Sequence, residues 1–98
     1  MNITKSVNGD ATVLAIEGRL DTATAPQFES EVEETVAETT ELILDFEKLE
    51  YTSSAGLRVI LKAQKAMNKK GSMKLVKVND EVMEVFKITG FTDILTIE

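Results

Sequence analysis

Residues 41–78 read ELILDFEKLEYTSSAGLRVILKAQKAMNKKGSMKLVKV, which is a strand, an amphipathic helix and a second strand in succession. Leu42-Ile43-Leu44-Asp45-Phe46 is a short, near-continuous apolar run, the pattern of a strand in a sheet covered on both faces. Leu57, Ile60, Leu61 and Met67 trace one face of a helix over 54–70. That helix closes at Lys69-Lys70-Gly71, since cations and a glycine suit a helix C-terminus. Met73 to Val78 supplies the return strand. A strand, a helix and a strand joined in this way make a right-handed crossover between parallel strands. Sheets of this kind bind at the C-terminal ends of their strands. Attention therefore falls on Tyr51-Thr52-Ser53-Ser54-Ala55-Gly56-Leu57, where strand gives way to helix and two hydroxyls are adjacent. A helix start leaves backbone N–H groups without partners and carries a partial positive charge, so it can hold a phosphate or seat a modifiable serine.

Outward from this unit, Asn8-Gly9-Asp10 signals a hairpin between a strand around Ile3 to Val7 and another from Ala11 to Glu17. Thr24 and Gln27 match a capping box, with Pro26 tolerated in the first turn, and predict a helix reaching Thr39. Phe28, Val32 and Val36 form its apolar stripe, while Glu29, Glu31, Glu33, Glu34 and Glu38 occupy other faces as a solvated surface rather than a metal site. Asp80 is positioned to cap a short helix carrying Val82, Val85 and Phe86, which Gly90 ends. Phe91 to Ile97 is a final strand or packed tail. The expected fold is α/β: one domain over 1–98, with a mixed, mostly parallel sheet, an antiparallel N-terminal hairpin, and two long helices plus one short. Loops 18–24 and 47–54 both emerge at the same sheet edge, so Asp21 and Ser54 should be neighbours.

Composition excludes more than it selects. The 98 residues, 43% of them hydrophobic, suffice for one core. With neither cysteine nor histidine there are no disulfides, thiolates or usual zinc ligands, and the commonest general base near neutral pH is missing. Most hydrolase and redox chemistries fall with them, and neither a metal nor a cofactor is expected. A net charge of −6 opposes binding to nucleic acid or anionic lipid and favours a protein partner. No apolar run approaches the roughly 20 residues of a membrane span and no signal peptide is evident, so a cytoplasmic location is expected.

Gly18-Arg19-Leu20-Asp21 before the first helix, together with Leu44-Asp45-Phe46, Leu49 and Tyr51 leading into Ser53-Ser54-Ala55-Gly56-Leu57, resembles the STAS domain, in particular the bacterial anti-sigma-factor antagonists. The resemblance covers essentially the whole chain. It implies a non-enzymatic, partner-switching regulator of transcription. Such a protein binds an anti-sigma factor that is also a serine kinase, frees a sigma factor, and is switched off by phosphorylation, with a serine phosphatase to reverse it. The phosphoacceptor then corresponds to Ser54 and the loop aspartate to Asp21. Arg19, Thr22, Ser53, Gly56 and Arg58 complete the expected partner surface. Two positions depart from the best-known antagonists: Ser53 replaces an aspartate, leaving it as a competing acceptor, and Ala55 replaces a small hydroxyl residue.

Simpler roles stand beside these. Adjacent serines at a helix start ordinarily serve as N-caps, and Asp21 can organise its own turn. Gly56 can serve close packing, and Gly18 a positive φ. Arg58, one turn beyond Ser54, can pair with a phosphate or a partner carboxylate. Two other functions fit the same elements: an accessory STAS subunit of a transporter or signalling assembly, or a small phosphate- or nucleotide-binding module.

Overall fold

A computed structural model describes residues 1–98. The chain runs β1 (Asn2–Asn8), β2 (Ala11–Leu20), α1 (Ala25–Glu38), β3 (Glu41–Asp45), β4 (Leu49–Thr52), α2 (Ser54–Asn68), β5 (Ser72–Val76) and α3 (Asp80–Thr89), followed by a 3-10 turn at Phe91–Asp93. The sheet order is β1-β2-β3-β5, with β4 also paired to β2. β1 and β2 form the antiparallel hairpin, and every other pairing between strands is parallel. The crossover over residues 41–78 brings β3 directly against β5, in register from Glu41 with Ser72 to Asp45 with Val76.

One face of the sheet makes the core. Leu14, Ile16 and Leu20 of β2, Leu42 and Leu44 of β3, and Met73 and Leu75 of β5 are buried, while the residues between them are not. They join Phe28 and Val32 of α1, Leu57, Ile60 and Met67 of α2, and Val82 and Phe86 of α3 in a single apolar cluster. The expectation of a sheet covered on both faces is therefore corrected. Ile43 and Asp45 point away from the helices with Val13, Ala15 and Val76 and stay half-exposed, so this apolar run conceals an ordinary one-sided alternation.

Other boundaries move for identifiable reasons. β4 lies inside what reads as a loop, and its pairing with Gly18, Arg19 and Leu20 prolongs β2 three residues beyond Glu17. β5 stops at Val76 because Lys77 takes a positive φ of 57°. The segment after Gly90 is a 3-10 turn and a tail joined to β5 by a single bridge, Ile97 with Leu75. The cap of α3 is Asn79, one residue earlier than Asp80: its side chain accepts from Val82 N–H at 2.8 Å and donates to the Leu49 carbonyl at 2.7 Å. One side chain thus caps a helix and ties it to β4. Leu61 is displaced from the core and lies half-exposed beside Arg58, Lys62 and Lys65, because it falls one position off the buried stripe Leu57, Ile60, Gln64 and Met67.

Candidate functional site

β2 and β4 end together. Leu20 pairs with Thr52, and the Ser53 N–H donates to the Leu20 carbonyl at 2.8 Å. This bond fastens the start of α2 to the turn that begins at Asp21. Gly56 permits the closeness: a methyl there would lie 2.5 Å from Leu20 Cγ and 2.5 Å from Thr52 Oγ1. Gly56 is itself buried, and at this position it serves the close packing of α2 on the strand ends. Gly18, at φ 108°, sits where the β2–β4 register shifts, a backbone that a side chain would strain.

The turn before α1 is built by Asp21. Its Oδ1 accepts from the N–H groups of Ala23 at 3.0 Å and Thr24 at 3.1 Å. The Thr24 hydroxyl accepts from Asp21 N–H at 2.9 Å and donates to the Arg19 carbonyl at 2.8 Å. Thr24 makes no side-chain cap on α1, and Gln27 reaches the Met1 carbonyl instead, so the expected capping box is absent. The Thr24 hydroxyl is instead committed to the turn, between Asp21 N–H and the Arg19 carbonyl, and so does not turn toward the N–H groups of α1. The Thr24 N–H holds the Asp21 carboxyl below its ordinary range. Desolvation opposes this, while the Thr24 hydroxyl, the Ala23 N–H and the nearby Arg19 charge reinforce it.

The two serines differ sharply. Ser53 is extended at φ −93° and ψ 177°, and its Oγ is buried without a hydrogen-bond partner. The Ser53 hydroxyl is thus turned away from solvent although the residue itself is half-buried, which sets it apart from its neighbour. Nor does its side chain cap α2. Ser54, the first residue of α2, is exposed. The first helical bond runs from Leu57 N–H to the Ser53 carbonyl, which leaves the N–H groups of residues 54–56 without helical partners. An anion at that point is favoured by about 0.3–1 kcal/mol.

Asp21, Thr22, Ser53 and Ser54 are thus gathered at one end of the sheet. Arg19 lies at the same edge, with its guanidinium carbon 4.4 Å from the centroid of the Tyr51 ring. Arg58 projects from α2 into a groove shared with Thr22, Ala25 and Pro26 of the other side. Lys62 crosses that groove to Glu29 and Glu33, each at 3.1 Å, and these carboxylates, Glu29 foremost, raise its pKa. Thr24 and Tyr51 also lie at this edge: the sequence offers Thr24 as half of a capping box and Tyr51 as part of the motif before α2, and neither pattern shows their contacts with Asp21 and Arg19.

A largely parallel sheet with an antiparallel leading hairpin, and a serine-bearing helix start pinned to an aspartate turn, define a class of small α/β domain. The STAS domain model matches residues 2–98, and the chain belongs to that family. BtrV of Bordetella bronchiseptica, whose name places it among anti-sigma factor antagonists, is 32% identical over 99 residues, covering 99% of this chain and 85% of its own. The anti-sigma-B factor antagonist of Listeria monocytogenes is 31% identical over 103 residues, covering 100% of this chain and 90% of its own. The crystal structure of an anti-sigma factor antagonist from Mycobacterium paratuberculosis superposes with a TM-score of 0.91 at 20% identity, over 98% of this chain and 83% of that one, which establishes likeness of fold.

Proposed function

We propose that this chain is an anti-sigma-factor antagonist. The edge carrying Arg19, Asp21, Thr22 and Ser54, with Arg58 beside it, docks against an anti-sigma factor that is also a serine kinase, and docking releases the sigma factor. Binding is the whole activity. The switch is phosphorylation of Ser54, and the carrying observation is that Ser54 is exposed at the start of α2 while the neighbouring Ser53 Oγ is sealed. Two relatives above 30% identity that bear the antagonist name support the role.

In the transfer step the Ser54 hydroxyl oxygen attacks the γ-phosphorus of ATP. Its proton passes to a base of the kinase, the bond to the β–γ bridging oxygen breaks, and ADP leaves. The added group brings about −1.5 to −2 charges to the centre of the contact. Locally the three unpaired N–H groups accommodate it, so the fold survives. Against the partner it is bulky and must be desolvated, and like-charge juxtaposition at an interface costs several kcal/mol. Docking is lost at the surface and a serine phosphatase restores it.

The test is incubation of wild type, Ser54→Ala and Ser53→Ala with the anti-sigma kinase and ATP, read by site-resolved mass spectrometry. Label should vanish in Ser54→Ala and persist in Ser53→Ala. Unchanged labelling of Ser54→Ala would refute the site.

A further inference from the structure

Arg19 and Tyr51 stand side by side where β2 and β4 run parallel, and the ladder is irregular there. Gly18 pairs with Leu49 but Arg19 pairs with Tyr51, so Glu50 is an extra residue on β4. The bulge keeps Leu20 and Thr52 facing the core, 0% and 2% exposed, while Tyr51 remains 39% exposed and Arg19 is exposed beside it. Bulges commonly re-aim a side chain next to a functional site.

The guanidinium is held, and although its charge acts on nearby Asp21 it forms no ion pair within 4.0 Å. Its carbon lies 4.4 Å from the Tyr51 centroid, so the ring's negative face fixes it by cation–π attraction. The ring covers one side of the guanidinium, and no acceptor of the chain engages its N–H groups, which leaves them free to donate. In a chain of net charge −6 a lone arginine would ordinarily be neutralised by its neighbours. Here Lys48 takes Glu17, at 3.7 Å, and Arg19 enters no ion pair. An oriented fork with unused donors matches a planar two-oxygen anion approached edge-on, which is a carboxylate. None of the surface grooves includes Arg19 or Tyr51, so the pair lies on open surface suited to another protein rather than to an engulfed small molecule.

We propose that Arg19, backed by Tyr51, is a specificity-determining contact of the docking edge, receiving a side-chain aspartate or glutamate of the partner in a bidentate pair. Tyr51 is a positioning residue that acts through Arg19. This rests on the reading of the edge as the anti-sigma-factor docking surface and names the partner chemistry it selects.

The experiment measures Kd for purified anti-sigma factors of the host by calorimetry, using the full chain. Arg19→Lys keeps the charge but loses the fork, and should weaken binding about tenfold. Arg19→Glu should weaken it further. Tyr51→Leu should weaken binding by several-fold, with Tyr51→Phe restoring it, because the ring and not the hydroxyl backs the guanidinium. Reversal of one partner carboxylate to lysine should restore binding to Arg19→Glu. Wild-type affinity in both Arg19 variants would overturn this inference alone. If the wild-type protein bound no anti-sigma factor, the docking reading itself would fail and this inference with it.

Discussion

Replacing Gly56 by alanine puts one methyl group at the point that sets how closely α2 approaches the ends of β2 and β4. Its Cβ would lie 2.5 Å from both Leu20 Cγ and Thr52 Oγ1, against an ordinary contact of at least 3.4 Å, so the first turn of α2 must retreat by about 3.4 − 2.5 = 0.9 Å or its neighbours must move. Neither neighbour yields readily, since Leu20 is 0% and Thr52 2% exposed. Overpacking of this kind costs about 1–3 kcal/mol. Alanine returns roughly 0.8–1 kcal/mol through its better helix propensity, and less in a first turn than in a helix interior. The expected net loss is about 1 kcal/mol, equivalent to a fall in melting temperature of about 4–8 °C for a domain of this size. Urea unfolding at matched pH is the assay, with Ser54→Ala as the control because Ser54 is exposed and its side chain makes no hydrogen bond in the fold. A Gly56→Ala protein as stable as the wild type would show that close approach at this point does not hold the serine against the aspartate turn.

Asn79→Ala removes the cap of α3 and its link to the Leu49 carbonyl, and should cost about 1–2 kcal/mol in urea unfolding; a loss below a few tenths would contradict the capping role. Asp21 has a folded pKa below its ordinary 3.8, so its contribution to stability is present above that value and fades as pH falls through the folded pKa. The stability gap between wild type and Asp21→Asn should therefore be seen at pH 7 and close in acid below about pH 4, whereas a gap independent of pH would rule out the charge as its source. Ser54→Asp should weaken partner binding with little change in melting temperature, because the residue is exposed; a collapse of melting would place the residue in the fold's support instead.

What the sequence made legible followed the strength of its signals. The crossover was readable because Leu42 to Phe46, the helix face through Leu57, Ile60 and Met67, and Met73 to Leu75 each carry several apolar residues at one period. β4 was not, because it has only four residues, of which Leu49 and Thr52 are buried, and its bulge breaks the alternation. The apolar run in β3 suggested two covered faces because Ile43 belongs to an apolar strip with Val13 and Val76 on the open face, which composition cannot tell from burial. The neighbourhood of Asp21 and Ser54 was readable from topology alone, since parallel strands bring their C-terminal ends to one edge. The resemblance favours Ser54 and leaves Ser53 open, and periodicity alone does not separate the orientation of the two hydroxyls. That depends on a single extended residue before the helix, which turns Ser53 Oγ inward and leaves Ser54 outside. The contact of Arg19 with Tyr51 also lay beyond reach, because the ring is carried by β4, whose pairing with β2 no periodicity announces.

The most direct test of the switch is the affinity of one anti-sigma factor for the same protein before and after stoichiometric phosphorylation at Ser54. The account predicts a loss of about hundredfold or more on phosphorylation, from several kcal/mol of repulsion and desolvation, with the melting temperature of the free protein nearly unchanged. Equal affinity of the two forms would contradict it.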